Sequence, residues 1–282
     1  MKKRNVSKWL LTGILIFMFS CIWTVQAQAG TYRTVTYQKV KVGAYRVWKD
    51  FNGGLFYEKV STGKKVSYNG NYSAITDGVY LYYGKSDYKS DRLYIYRHKM
   101  GTNASNKKFV CSIKHGDEIV GAYRYEIFVN VHNSSGATGH DETYIHTAAY
   151  NKSTKKLRTI MTGFASRESY GKYIWGQPNS GYPGIPLPLK VYNAATKKTK
   201  LLTKNAGTNV QKIGNYIYFT KRIKKIDPAN NVWQSKVYKY KLGSTKNTLV
   251  SKKTFNIQYV ESMTSSYIKY MNANGQIVTS KY

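Results

Sequence analysis

Val42-Gly43-Ala44-Tyr45-Arg46 returns unchanged as Val120-Gly121-Ala122-Tyr123-Arg124. A looser form, with a small residue, any residue, tyrosine and then alternating bulky residues, recurs along the chain. The copies are Gly78-Val79-Tyr80-Leu81-Tyr82, Gly171-Lys172-Tyr173-Ile174-Trp175, Gly214-Asn215-Tyr216-Ile217-Tyr218 and, more weakly, Ser265-Ser266-Tyr267-Ile268-Lys269. Six starts between positions 43 and 265 give a mean period of about 44 residues. A Tyr-rich alternating stretch follows each start, as in Leu93-Tyr94-Ile95-Tyr96, Leu189-Lys190-Val191-Tyr192 and Val237-Tyr238-Lys239-Tyr240. Next comes a turn, near-identical in Tyr150-Asn151-Lys152-Ser153-Thr154-Lys155-Lys156 and Tyr192-Asn193-Ala194-Ala195-Thr196-Lys197-Lys198, and then a short closing strand. Each unit thus has room for four antiparallel strands, and no window sustains a helical period.

Four strands per unit of this length predict an all-β chain, a six-bladed β-propeller of four-stranded antiparallel blades. One twisted sheet cannot bury both faces alone, so radial stacking lets each blade cover the next. The last unit offers only three strands, Ile257–Met263, Tyr267–Met271 and Gln276–Lys281. The early segment Tyr32-Arg33-Thr34-Val35-Thr36 is therefore expected to supply the outer strand of the last blade and close the ring.

The copies Asp77-Gly78-Val79-Tyr80-Leu81-Tyr82-Tyr83 and Gly214-Asn215-Tyr216-Ile217-Tyr218-Phe219, each followed by a Tyr-rich strand, resemble a known group. They are similar to the low-density-lipoprotein-receptor-like β-propeller repeats of secreted Gram-positive bacterial proteins. The resemblance covers most of the chain from about residue 40. It implies a propeller and export, and it implies no catalytic residues. The acidic YWTD-type signature of the receptor relatives is not intact here.

Lys2, Lys3, Arg4 and Lys8 form a basic head, an apolar stretch runs from Trp9 to Trp23, and Ala27-Gln28-Ala29 supplies a small-x-small cleavage pattern. Residues 1–29 therefore read as a signal peptide and 30–282 as one propeller domain, secreted and cell-wall associated, with no stable membrane span after cleavage. Two cysteines among 282 residues exclude a disulfide scaffold and a thiolate zinc site. Cys111, in the alternating run Phe109-Val110-Cys111-Ser112-Ile113, is expected to be a small buried hydrophobe.

Charge carries the functional signal. Lys and Arg number 45 against 13 Asp and Glu, a formal charge of +32, while 28 tyrosines argue against a disordered polycation. Residues 30–150 hold 17 basic and 10 acidic groups; residues 151–282 hold 24 and 3. Lysines recur at the turn between third and fourth strands, at Lys64/Lys65, Lys107/Lys108, Lys155/Lys156, Lys197/Lys198 and Lys246, which predicts a cationic crown on one face. The second-to-third connections, Asp50–Gly54, Gly84–Asp91, His132–Thr143, Gln177–Pro186 and Lys221–Gln234, are expected to be variable loops on the other face.

The ligand-binding set is Lys155, Lys156, Lys197, Lys198, Lys221, Arg222, Lys224, Lys225 and Trp233. Its expected partner is an anionic cell-wall polymer, teichoic acid-like or a glycan, with an extracellular protein as a further partner. Lysine acts here as a flexible point charge rather than a bidentate reader. No nucleic acid partner is expected, because no groove-reading helix or RNA-binding motif occurs. No cofactor is called for, and the reading is non-enzymatic. The His132/His140/Asp141/Glu142/His146 group matches no metal-ligand spacing, so no metal is assigned. The alternatives are a carbohydrate-active enzyme, a glycan lyase or hydrolase working near Glu126, His140 and Asp141, and a protein-binding scaffold.

Overall fold

The computed structural model describes residues 31–70, 72–132, 145–178, 186–207 and 209–282. The signal segment, His140, Asp141, Glu142 and most of the Gln177–Pro186 connection lie outside the described residues. Apart from one 3-10 turn at Ala104–Asn106, every regular element among the described residues is a β-strand, and each paired strand meets its neighbour antiparallel. The chain is all-β, as its alternation dictates.

A short strand, β1 (Arg33–Thr34), comes first. Six groups then follow in chain order. The first is β2 (Val40–Val42), β3 (Tyr45–Lys49), β4 (Leu55–Lys59) and β5 (Lys65–Tyr68); the second is β6 (Tyr72–Thr76), β7 (Tyr80–Asp87), β8 (Arg92–Lys99) and β9 (Lys108–Lys114). The third is β10 (Gly116–Tyr123), β11 (Glu126–Val131), β12 (His146–Asn151) and β13 (Leu157–Met161); the fourth is β14 (Ala165–Tyr170), β15 (Tyr173–Gln177), β16 (Leu187–Asn193) and β17 (Lys198–Ala206). The fifth holds β18 (Gln211–Ile213), β19 (Tyr216–Asp227), β20 (Val232–Lys241) and β21 (Asn247–Leu249), with β22 (Phe255–Ile257) added against β20. The sixth is the three-stranded sheet β23 (Tyr259–Met263), β24 (Tyr267–Met271) and β25 (Ile277–Lys281).

One backbone hydrogen bond recurs in all six groups. The residue that follows the third strand donates its N–H to a carbonyl in the first-to-second turn: Val60 to Ala44, Met100 to Val79, Lys152 to Tyr125, Ala194 to Lys172, Leu242 to Asn215 and Tyr282 to Ser266. This tie aligns the repeats by structure, and it corrects the opening motif. Gly43 sits in the β2–β3 turn at φ +61°, whereas Val120–Tyr123 lie inside β10. The third group's counterpart of Gly43 is Arg124, which accepts φ +52° without being glycine. Gly121 is glycine for packing, since a Cβ there would stand 2.6 Å from Ser169 Oγ. The identical pentapeptides are thus out of phase, while the looser Gly-x-Tyr copies at 78, 171 and 214 mark the true turns.

Five apolar clusters join successive groups face to face. Val47, Leu55 and Tyr57 pack against Ala74, Leu81 and Tyr83. Leu93, Ile95 and Ile113 meet Ile119, Ile127 and Val129, with Cys111 buried among them. Phe128 and Ala149 meet Ile174 and Tyr192; Trp175 and Leu189 meet Ile217 and Phe219; Val237 meets Val260, Met263 and Ile268. Each fully buried side chain of this size contributes roughly 1.5–3 kcal/mol. Burial also raises the Cys111 thiol to about 11, so it is inert packing, as its alternating run implies.

The N-terminal strand does not close the last sheet. β1 lies between the first strands of the second and fourth groups, with Arg33 paired to Thr76 of β6 and Tyr170 of β14. Thr34 Oγ1 donates to Val120 O at 2.8 Å and accepts from Ser169 N at 2.9 Å, so three groups are stitched together at their inner strands. The reason is burial: Tyr32 and Val35 are under 10% exposed here. Beside the solvent-lapped β25 they would remain wet. Among the described residues no apolar cluster joins the sixth group to the first. Their outer faces carry ion pairs instead, Lys39–Glu58 (2.6 Å) and Arg46–Glu58 (3.0 Å) on one and Lys269–Glu261 (2.8 Å) on the other.

Candidate functional site

Antiparallel geometry puts the first-to-second and third-to-fourth turns of a group at one end and the second-to-third hairpin at the other. The residues expected to bind therefore divide into two sets. Lys155, Lys156, Lys197 and Lys198 are exposed on third-to-fourth turns, held beside the first-to-second turns by the recurring backbone tie. Lys155 (φ +60°) and Lys197 (φ +55°) occupy the place that Gly63 (φ +66°) fills in the first group. Asn151 and Asn193 build these turns, their Oδ1 atoms accepting from Ser153 N, Thr154 N and Ala195 N. A lysine in left-handed backbone costs about 1 kcal/mol or more that glycine does not. Both turns carry that strain together with an exposed ammonium group.

The second set lies on an arm rather than a loop. Lys221–Gln234 was expected to be a connection, but β19 continues to Asp227 and β20 begins at Val232. Neighbouring strands flank the base of the arm: Ala206 pairs with Lys221, and β22 pairs with Trp233–Ser235. Long charged side chains then lie over aromatic surface, where a strand tolerates them. Arg222 and Lys225 sit over the Trp233 ring at 5.4 and 5.7 Å. Lys221, Lys224 and Lys225 are exposed, but Arg222 is buried and does not join the solvent-facing set. Desolvation lowers its guanidinium to about 10. Likewise Gly84–Asp87 belongs to β7, leaving only four residues in that hairpin loop.

Beside the arm, a groove of about 350 Å³ opens between β17 and the β19–β20 pair, with Lys204 and Lys221 at its sides. Phe219 and Tyr238 stack within it at 6.0 Å, and Thr203, Asn205 and Asn247 add polar groups. Lys221 belongs to both groove and arm; it shares the groove face of the hairpin with Tyr238, while Lys225 and Trp233 lie on the opposite face. Sequence reading missed Lys204 and the groove, because only packing of the fourth group against the fifth creates it.

Acidic groups gather at the inner strands. Glu126, named for the enzyme alternative, pairs instead with Arg158 at 3.1 Å near the turn end. The inner acids are Glu118 and Glu168, each placed by a β-bulge, in β10 and in β14. Desolvation raises both carboxyls, Glu118 further through Asp117, while Arg167 and Lys49 oppose the shift there and Lys212 and Arg33 oppose it at Glu168. A carboxyl whose folded pKa is raised gives stability at low pH that is lost as pH climbs through the raised value. Glu118→Gln keeps the Asn130 Nδ2 bond (2.7 Å) and removes the charge. Its melting temperature should exceed the wild type's at pH 7, with the gain vanishing near about pH 4, the ordinary glutamate range. Equal melting curves at both pH values would show that Glu118 is well solvated.

Of the histidine grouping read from the sequence, only His132 and His146 are among the described residues. Among the described residues His132 meets His115 and Asp91, while His146 starts β12.

No family model matches the chain, and no curated protein matches it. Similar solved structures include prolyl oligopeptidase B from Galerina marginata, at 12% identity over 84% of this chain and 36% of that one, TM-score 0.49. Pyrococcus horikoshii acylaminoacyl peptidase is 11% identical over 84% of this chain and 42% of that one, TM-score 0.48. The β-propeller domain of the Trilobed protease from Pyrococcus furiosus is 12% identical over 88% of this chain and 94% of that one, TM-score 0.35. The chain spans less than half the length of the two peptidases. Identity at this level sets up no residue correspondence with any of the three.

Proposed function

We propose that this chain is an exported six-bladed β-propeller that binds anionic polymers of the cell surface and catalyses no reaction. The blades are the six tied strand groups, gathered at the axis by β1 with a seam between first and last. This placement extends the resemblance to secreted propeller-repeat proteins. The observation that carries the binding role is the gathering of Lys204, Lys221, Lys224 and Lys225 on the groove and arm, with Tyr238 on one face of the hairpin and Trp233 on the other. Ammonium groups there meet phosphate or carboxylate, and the aromatic faces suit sugar rings. The strained lysine turns at the opposite end supply a second anchor along a long polymer. With the four basic residues of the signal segment removed, the remaining excess of 28 positive charges is costly in self-repulsion, and a polyanion offsets it.

The test is retention on a poly(glycerol phosphate) matrix. Neutralising about six phosphates should make affinity fall roughly several hundredfold between 50 and 200 mM salt. Charge reversal of Lys221, Lys224 and Lys225 together should flatten that dependence. Lys155→Gly with Lys197→Gly should weaken retention while raising folding stability by about 0.5 kcal/mol each, since glycine relieves the left-handed turn. Retention unchanged by salt and by both sets of variants would defeat the proposal.

A further inference from the structure

We infer that Asp91, His115 and His132 form a binding site for a divalent transition metal ion of the zinc class, separate from the cationic arm. Among the described residues these are the one group of three potential ligands whose ligand atoms all lie within 4.8 Å of one another. His115 Nδ1 meets Asp91 Oδ2, and His132 Nε2 stands 3.0 Å from Asp91 Oδ1. The two rings approach edge to face at 5.7 Å, so both imidazoles converge on one carboxylate.

Three separate chain segments deliver these groups. Asp91 ends the β7–β8 hairpin loop, His115 is the single residue between β9 and β10, and His132 follows β11. Backbone bonds set their order: His115 N donates to Asp91 O and His132 N to His115 O, each at 2.9 Å. The site is therefore held by main chain rather than by mobile side chains alone.

The hairpin itself has no need of the Asp91 carboxylate. Its turn is built by Asp87, whose oxygens accept from Lys89 N and Ser90 Oγ. The fifth group repeats this hairpin with Asp227 in the building role, accepting from Ala229 N and Asn230 N, and there Asn231 takes the place of Asp91 at the same backbone angle (φ +54° against +53°). Asparagine satisfies the turn equally well, so the carboxylate at 91 is available to a ligand.

Two imidazole nitrogens and one carboxylate oxygen suit zinc, cobalt, nickel or copper and ill suit calcium or magnesium, which take oxygen. In a tetrahedral zinc site such ligands stand about 2.0–2.2 Å from the ion, hence roughly 3.3 Å from one another, near the His132–Asp91 separation. Side chains of Asp91 and His132 are about two-fifths exposed, at 41% and 42%, which gives an ion a way in and leaves a fourth position for water or an anionic oxygen.

Chelator-treated full-length protein titrated with zinc chloride in a calorimeter tests this. One equivalent should bind, and Asp91→Asn and the pair His115→Gln with His132→Gln should each weaken it at least tenfold. Asp91→Asn should melt like the wild type without metal and lose the rise in melting temperature that zinc gives the wild type. Magnesium should leave both unchanged. No uptake by the wild type, equal uptake by Asp91→Asn, or loss of uptake in a His140→Gln/His146→Gln control would overturn the assignment.

Discussion

Replacing Asn130 by leucine should cost about 4 kcal/mol of folding stability, because several buried polar groups lose their partners at once. Asn130 is 1% exposed and uses its whole amide. Its Nδ2 donates to Glu118 Oε1 (2.7 Å) and Ser166 O (2.9 Å), and its Oδ1 accepts from Ser166 N (2.9 Å) and Thr147 Oγ1 (3.2 Å). The single Thr147 hydroxyl proton is shared between Asn130 Oδ1 and Phe164 O, the latter 3.0 Å away. Leucine has the same branched skeleton of four heavy atoms and answers none of these groups. In a chain of this size the loss should lower the melting temperature by roughly 10 °C. Asn130→Asp separates network from charge: it keeps the acceptor but faces Glu118, so it should be far less stable at neutral pH than in acid. A leucine variant within 1 kcal/mol of the wild type would show that water or rearrangement replaces the network.

The second large effect concerns β1. Removing residues 31–36 deletes Tyr32, which packs edge-on against Tyr82 at 5.7 Å, and Val35, whose N–H bonds Ala74 O at 2.8 Å. It also strips the inner edges of β6 and β14. Tyr32→Ala alone should cost about 3 kcal/mol by the usual scale for large buried side chains. Thr34→Val should cost about 2 kcal/mol, since Val120 O and Ser169 N–H are both left unpaired. The full deletion should exceed their sum and abolish a single cooperative melt. Position is tested separately by cross-linking. The hydroxyls of Thr34 and Ser169 lie 3.4 Å apart, so Thr34→Cys with Ser169→Cys should form a disulfide under mild oxidation. Failure to cross-link, with Thr34 reachable from the last strand instead, would restore the rim closure expected from sequence.

Much of the architecture was legible along the chain. Alternating Tyr and β-branched residues gave strands, and glycine before x-Tyr gave turns at 78, 171 and 214, where backbone angles of +90°, +58° and +58° demand it. The strongest-looking signal misled: identical pentapeptides at 42–46 and 120–124 hold different places, because glycine serves a turn in one and close packing in the other. Charge also misled locally. Lys221 to Lys225 read as a loop, yet neighbouring strands flank the base of the arm and aromatic rings carry its side chains. The lysine turns were placed correctly on third-to-fourth connections; the groove beside Lys204 left no trace in sequence.

Composition and period determined the class of the molecule, because strand alternation, turn residues and net charge are local or additive quantities. Juxtaposition was decided only in three dimensions. That β1 lies between β6 and β14, that Asp91 meets His115 and His132, and that Glu118 and Glu168 are desolvated all depend on which faces bury together. Burial is a property of the assembled surface, and no single stretch of residues encodes it.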